Sequence, residues 1–465
     1  MSTTTTATIT PVNSLVLEAT NLRSPEYARP KSPESHVING LVIVGLPTIT
    51  KDLQLPPSLS FWPSSVNSLA TASTLLLAGS LADTVGPRWV ELVGSFASGA
   101  LMIGQGVART GQEKKPQCRF LVLGVSQPLG FSLGLVVGGV LVDTIGWRSG
   151  WFLSGGITLV FSIAGLWALP RSKTTQYSDL LHNIRTKIDW VGAGLASAFM
   201  ALLCYLLAIL SADPLRIKSA DSIVMLCLAA LALPSFIGWV HYQVKRNKTA
   251  LIPNALWKNI AFSSICATLA ISTTVVNSME LFASLFFQEV QDLSALDASV
   301  RILPSLIVGV LLNLVIGVFV HKVPAFWIAT VTSLLCAGSP LLMAVIQPSW
   351  PYWGNAFVTQ LLQAVSFNAL YTIGLIIITN SFPDDTQALA GAVFNTAAQF
   401  GSALGLAILQ VISTVVTEES GADETGALMA GYRASFWTMF GFMILCTLLG
   451  YFGLRKAGKV GLKRD

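Results

Sequence analysis

Three stretches of this 465-residue chain, 324–346, 353–380 and 388–416, contain no Asp, Glu, Lys or Arg. A helix rises about 1.5 Å per residue, so roughly 20 residues cross the hydrocarbon layer of a bilayer, about 30 Å thick. Each stretch is long enough to span. Each is also apolar all round instead of along one face, which is the pattern of a helix solvated by lipid and not of a soluble core helix. With 53% hydrophobic and 11% charged residues, the chain has more apolar surface than one soluble core could hide.

Windows of about 20 residues place spans near 61–82, 89–108, 120–142, 150–169, 190–210, 222–240, 260–287, 302–320, 324–346, 353–380, 388–416 and 435–454. A further apolar segment, 36–49, is too short to cross and reads as half a helix. The expected fold is all-α: a polytopic membrane protein with about twelve full transmembrane helices and one short segment.

The net charge of +5 does not indicate a nucleic-acid partner, because the basic residues sit in short loops and at the C-terminus without aromatic interleaving. They read as topology signals. Loops 170–188, 241–259, 321–323 and 381–387 with the C-terminal tail carry 14 Lys and Arg, whereas the opposite loops carry 5, at Arg148, Arg216, Lys218, Arg301 and Arg433. The positive-inside bias makes the first set cytoplasmic, and the acidic 417–426 stretch and the Trp350-Pro351-Tyr352-Trp353 run then face outward. Strict alternation from that assignment puts the loop 83–88 outside, and the basic tract Arg109, Lys114, Lys115 and Arg119 marks where one crossing is missing.

Cys118, Cys204, Cys227, Cys266, Cys336 and Cys446 are single, without metal or redox spacing, and His36, His182, His241 and His321 are far apart. No catalytic constellation, phosphate-binding loop or metal site emerges, so the expectation is a non-enzyme without a cofactor, driven by an ion gradient. The Ser-, Thr- and Pro-rich residues 1–35 lack the pattern of a cleaved signal and read as a disordered tail.

Two motifs carry more. Gly79-Ser80-Leu81-Ala82-Asp83-Thr84-Val85-Gly86-Pro87-Arg88 puts small residues, a turn glycine and a carboxylate within reach of Arg88 between two spans, the parts of a latch between helix ends. In Gly130-Phe131-Ser132-Leu133-Gly134-Leu135-Val136-Val137-Gly138-Gly139, glycines four apart line one helical face and allow close backbone contact. The first resembles the signature G-x-L-A-D-r-x-G-r-r of the major facilitator superfamily, with Thr84 and Pro87 in place of basic residues. The second, with the following Asp143-Thr144-Ile145-Gly146-Trp147-Arg148, resembles the antiporter motif of the family's exporters, with Leu135 where a proline is usual. Gly45-Leu46-Pro47-Thr48-Ile49, the run 60–66 and Ser284-Leu285-Phe286-Phe287-Gln288-Glu289-Val290-Gln291 are similar to fungal fourteen-span drug:proton antiporters.

That resemblance implies a major facilitator fold: a tail 1–35, an incomplete N-terminal bundle 36–188, two central extra helices 189–240, a C-terminal six-helix bundle 241–455 and a basic cytoplasmic tail 456–465. Against the fourteen-span plan the chain lacks most of helix one and all of helix four. It also implies proton-coupled efflux of a small hydrophobic or amphiphilic compound (a drug, toxin or secondary metabolite) across the plasma membrane or, alternatively, the vacuolar membrane. The implied partners are membrane lipid, the small-molecule substrate and protons, with no obligate protein partner. The competing reading is a non-transporting remnant or an incorrect gene model.

Within the spans, Glu280 is the most informative side chain, because a charge at the centre of a membrane helix costs about 2.5–3.5 kcal/mol on insertion scales. It reads either as a proton or substrate site facing a cavity or as a carboxylate reaching water at the outer edge. Asn277, Gln363, Asn368 and Gln399 are the amides expected to join it, each with the alternative of an interhelical hydrogen bond. The topology makes one checkable statement. Asn247-Lys248-Thr249, the single glycosylation sequon, lies in a cytoplasmic loop, so glycosidase treatment should leave the electrophoretic mobility unchanged. A glycan at Asn247 would reverse the orientation of the second half.

Overall fold

The computed structural model describes residues 33–54, 92–96, 126–168, 189–210, 218–246, 256–319, 323–421 and 423–455. Among them the regular elements are helices throughout: α1 (Pro33–Asp52), α2 (Ser126–Thr144), α3 (Trp147–Ala168), α4 (Trp190–Leu210), α5 (Ala220–Lys245), α6 (Ile260–Leu285), α7 (Ala295–Phe319), α8 (Ala325–Ala344), α9 (Ala356–Gln363), α10 (Val365–Ser381), α11 (Asp384–Glu419) and α12 (Glu424–Gly453). Six segments are long and apolar enough to cross a membrane: Ala220–Lys245, Ile260–Val290, Ala325–Ala344, Ala356–Ser381, Leu389–Glu419 and Thr425–Gly453. The expected spans 61–82 and 89–108 and the basic tract at 109–119 lie almost wholly outside the described residues.

The helix starts follow local capping chemistry. Asn259 accepts hydrogen bonds from the amides of Ala261 (3.0 Å) and Phe262 (3.2 Å) ahead of α6, and Ser294 accepts from Asp297 (3.1 Å) at the head of α7. Asp189 binds both the Gly192 amide and the Trp239 indole at 2.8 Å, which starts α4 and ties it to α5. In lipid such bonds matter more than in water, since no solvent is available to satisfy a free backbone group.

The sequence reading underestimated several lengths. The apolar segment 36–49 read as half a helix is the middle of α1, a 20-residue helix that also takes in Glu34 and Ser35 before it and Lys51 and Asp52 after it. α11 and α12 run to 36 and 30 residues, well beyond the charge-free windows, because polar ends such as Thr417–Glu419 project past the hydrocarbon. The expected span 353–380 corresponds to the crossing Ala356–Ser381, which carries a one-residue break at Ala364 between α9 and α10. There the Asn368 amide reaches 2.7 Å from the Ala364 carbonyl while the helical backbone bond to the same oxygen stretches to 3.5 Å. A side chain competing for its own helix's carbonyl is the physical cause of the break.

The C-terminal bundle has a buried apolar core, including Phe262, Leu269, Met279, Phe394 and Phe436, with hydrogen-bonded polar groups set into it. Ser272, Ser333 and Ser366 of α6, α8 and α10 hydrogen-bond at 3.0 and 3.1 Å in its centre, and Cys446 of α12 donates to the Thr268 carbonyl. α5 buries only small or modest groups among its described side chains, Ser222, Ala229, Ala232 and Val240, and presents Leu226, Leu231 and Ile237 outward. α4 leans on α11 through Phe199 and Phe400, whose rings lie 5.9 Å apart.

α6 and α11 cross closely. Thr274 donates to the Gly401 carbonyl at 2.5 Å, and a Cβ at Gly401 would fall 2.3 Å from the Ala270 carbonyl oxygen. Gly391, two to three turns earlier on α11, has nothing within 4 Å of a built Cβ. Gly401→Ala should therefore destabilise the solubilised chain by about 1–3 kcal/mol in thermal unfolding, the cost of overpacking a fixed backbone contact, while Gly391→Ala leaves it unchanged.

Candidate functional site

Glu280 lies on the last third of α6, about 15 Å by helical rise from the end of the π-helical turn Phe286–Val290 that follows. Its side chain is buried, 8% exposed, and no other described residue gives it a hydrogen bond or an ion pair. Asn277, Ser284 and Gln288 share its face of the helix, three residues before and four and eight after. Asn277 donates to Ser402 of α11 at 2.6 Å, and Gln399 is half-buried one turn before Ser402. Ser284 and Gln288 turn toward α1 and donate to the carbonyls of Ile43 (3.3 Å) and Val44 (3.2 Å). Glu280 thus sits where α6 passes from its contact with α11 to its contact with the first half.

The other amides divide away from it. Gln363 donates to the Val276 carbonyl at 3.3 Å, and its own carbonyl accepts from Cys336 of α8. Asn368 turns toward α7, where a Cβ on Gly309 would meet its amide nitrogen at 3.1 Å. Gln360, a further amide that the sequence offers for a midplane pocket, is fully buried with both amide atoms unpartnered, and the Gln363 side-chain oxygen is likewise unpartnered. Gly79, Asp83, Gly86 and Arg88 lie outside the described residues.

The glycine motif lies on α2 at a junction of three helices. A Cβ on Gly138 would meet Leu41 of α1 at 3.1 Å, and one on Gly139 would fall 2.6 Å from the Ser299 hydroxyl of α7. Ser299 donates to the carbonyl of Leu135, the position where a proline is usual, at 2.8 Å. Gly134 is on the same helix and Gly130 one turn earlier. Sequence reading missed the role of Asp143. Its carboxylate accepts the Leu296 amide at 2.9 Å in the first turn of α7, where the helix dipole favours negative charge.

The Major Facilitator Superfamily profile matches residues 119–406, starting where the basic tract ends. A protein described as MFS-type transporter 1, from Pyricularia oryzae, is 33% identical over 502 aligned positions covering 91% of this chain and 82% of that protein. The chain belongs to the major facilitator superfamily. It is a multi-pass membrane transporter and not an enzyme. An efflux pump named terJ from Aspergillus terreus is 23% identical over 86% of this facilitator and 81% of its own length. Among solved structures, a peptide transporter POT superimposes with a TM-score of 0.51 at 15% identity, covering 91% and 93% of the two chains, a likeness of fold alone. Since 91% of 465 residues is about 423, about 79 of the 502 positions aligned with the Pyricularia protein have no residue in this chain.

At the end of α1, Asp52 accepts the Trp147 indole at 2.8 Å and is ion-paired with Arg148, whose guanidinium stacks 4.6 Å from the Trp147 ring. The Trp147 hydrogen bond, and then Arg148, hold this carboxyl below its ordinary value of 3.8. A lowered carboxyl stabilises the folded chain above that value and stops doing so as the pH falls through the lowered one. The difference in melting temperature between the native chain and Asp52→Asn should be constant from pH 7 to 5 and shrink below pH 3.8. A difference that grows on acidification would contradict the geometry.

Proposed function

We propose that this transporter exports a small hydrophobic or amphiphilic compound in exchange for protons by alternating access, with Glu280 as the group that exchanges its occupant. The observation that carries the reading is Glu280 itself. A buried carboxylate without a bonding partner among the described residues is costly in a membrane interior, and it persists where a proton or a cationic group of a substrate occupies it in turn. Its place on the α6 face directed at the first half suits a site that both halves enclose.

The relatives support export. Besides the efflux pump terJ, a puromycin resistance protein from Streptomyces alboniger is 22% identical over 89% of this chain and 88% of its own length. Proteins of these descriptions act on drugs or metabolites, and this chain in the present reading removes such a compound across the plasma membrane, the vacuolar membrane being the alternative. Asp83 and Arg88 serve as the cytoplasmic latch, and the glycine motif around Gly138 and Gly139 as a close-packed joint between halves.

The 79 unmatched positions favour a second reading. They exceed the length of two membrane helices, and two lost helices would break the pairing of halves on which rocking depends, leaving a remnant or an incorrect gene model. Accumulation of dyes and fungal metabolites, compared between cells expressing this chain and cells expressing an Asp83→Asn, Glu280→Gln double variant, separates the two. The exporter gives lower accumulation with the unmodified chain alone, and a protonophore removes the difference. Equal accumulation with both proteins confirmed in the membrane supports the remnant.

A further inference from the structure

Pro47 lies inside α1 and has no backbone N–H, so the carbonyl four residues earlier, on Ile43, loses its helical donor. In a membrane interior that oxygen must find another. It finds one in the opposite half of the molecule, where the Ser284 hydroxyl of α6 donates to it at 3.3 Å. The next carbonyl, on Val44, accepts from the Gln288 amide at 3.2 Å, and Gln288 also donates to the Ser284 hydroxyl at 2.9 Å. Gln288 reaches both because it sits in the π-helical turn Phe286–Val290, which widens α6 just past Ser284.

We infer that Pro47, Ser284 and Gln288 form a separable latch between the halves, in which a proline-freed backbone carbonyl is the acceptor and α6 side chains are the donors, and whose opening uncovers Glu280. The inference rests on Glu280 being the exchange site, and it adds which contact controls access from the Tyr352 and Trp353 end. Glu280 is one helical turn inward from Ser284 on the same face, so the latch closes directly over it. Two further hydrogen bonds between the halves at this end also involve backbone groups, the Ser299 hydroxyl to the Leu135 carbonyl and the Leu296 amide to the Asp143 carboxylate, beside the close approach of α2 to α7 at Gly139. Each gives a modest net stabilisation and can be exchanged for water, as a seam that opens and closes requires.

Two chemically different partners on α6 are needed. Ser284 satisfies the orphaned oxygen, and Gln288 holds the Ser284 hydroxyl in the donating orientation. The glycines on the far side of α1, Gly138 of α2 and Gly150 of α3, cradle Leu41 and keep α1 with its own half when the latch parts.

The test is the reaction rate of a Glu280→Cys full-length chain with a membrane-impermeant maleimide, applied from whichever side labels a Trp353→Cys control. Labelling is corrected for the chain without the added cysteine. Trp353 is 73% exposed at the same end, so the control fixes the side without assuming an orientation, and no transport is measured. Adding Ser284→Ala and Gln288→Leu should raise the rate about tenfold, the loss of two modest hydrogen bonds. Ser284→Thr, which keeps the hydroxyl, should leave it low. An unchanged rate in the double variant, or a fast rate in Ser284→Thr, overturns the latch. Failure of the exporter reading would appear instead as absent transport with the rate difference intact.

Discussion

Lipid offers backbone groups no hydrogen bonds, and much of this molecule follows from how α6 supplies them. Its Ser, Thr, Asn and Gln side chains satisfy partners on three other helices: Ser272 to Ser366 of α10, Thr274 and Asn277 to Gly401 and Ser402 of α11, and Ser284 and Gln288 to α1. The Thr268 carbonyl accepts from Cys446 of α12. Van der Waals contact at glycines adds to these bonds, since apolar burial gives little preference for helix over lipid tail. One helix thus ties the C-terminal bundle together and meets the first half with its remaining face.

The two kinds of contact differ in strength. Inside the C-terminal bundle, α6 and α11 approach to backbone contact at Gly401, and α11 and α12 do the same at Gly431, where a Cβ would fall 2.5 Å from the Ser413 carbonyl. Between halves, at the end carrying Tyr352, the described hydrogen bonds are individual and involve backbone groups, with one close backbone approach, of α2 to α7 at Gly139. Around them the outer end is stiff. Tyr352 donates to the Arg301 carbonyl at 2.7 Å, burial pushes its phenol up to about 12 so that it keeps that proton at neutral pH, and Arg301 lies against the Phe287 and Tyr352 rings. In the proposed latch, the α1–α6 hydrogen bonds part as one body moves against the other, and Glu280 lies one turn beneath Ser284.

The spans were legible in the sequence wherever the hydrocarbon dictates composition: 190–210 and 324–346 match α4 and α8 to within two residues at each end. Their ends were less legible where helices leave the hydrocarbon, since residues such as Asp384, Glu419 and Glu424 are tolerated there and no longer mark a boundary. The break at Ala364 was invisible because it arises from one amide competing for one carbonyl. At the candidate site, charge singled out Glu280, since a buried carboxylate in a span has few explanations. The neutral amides carried no such signal: Asn277, Gln363 and Asn368 have the same composition whether they line a cavity or bond a neighbouring helix. The runs containing Pro47 and Ser284-Gln288 stood out through family resemblance, but that they touch each other is a fact of tertiary structure.

Proton movement and export are proposed to be joined at Glu280. The direct measurement is proton flux in proteoliposomes containing the purified chain and a pH-sensitive dye, on adding the compound whose accumulation the chain lowers most in cells. A flux that starts with the compound and disappears in Glu280→Gln, while that variant still binds the compound, is the expected result. Equal flux in the two proteins would contradict the assignment of Glu280, whatever else the chain transports.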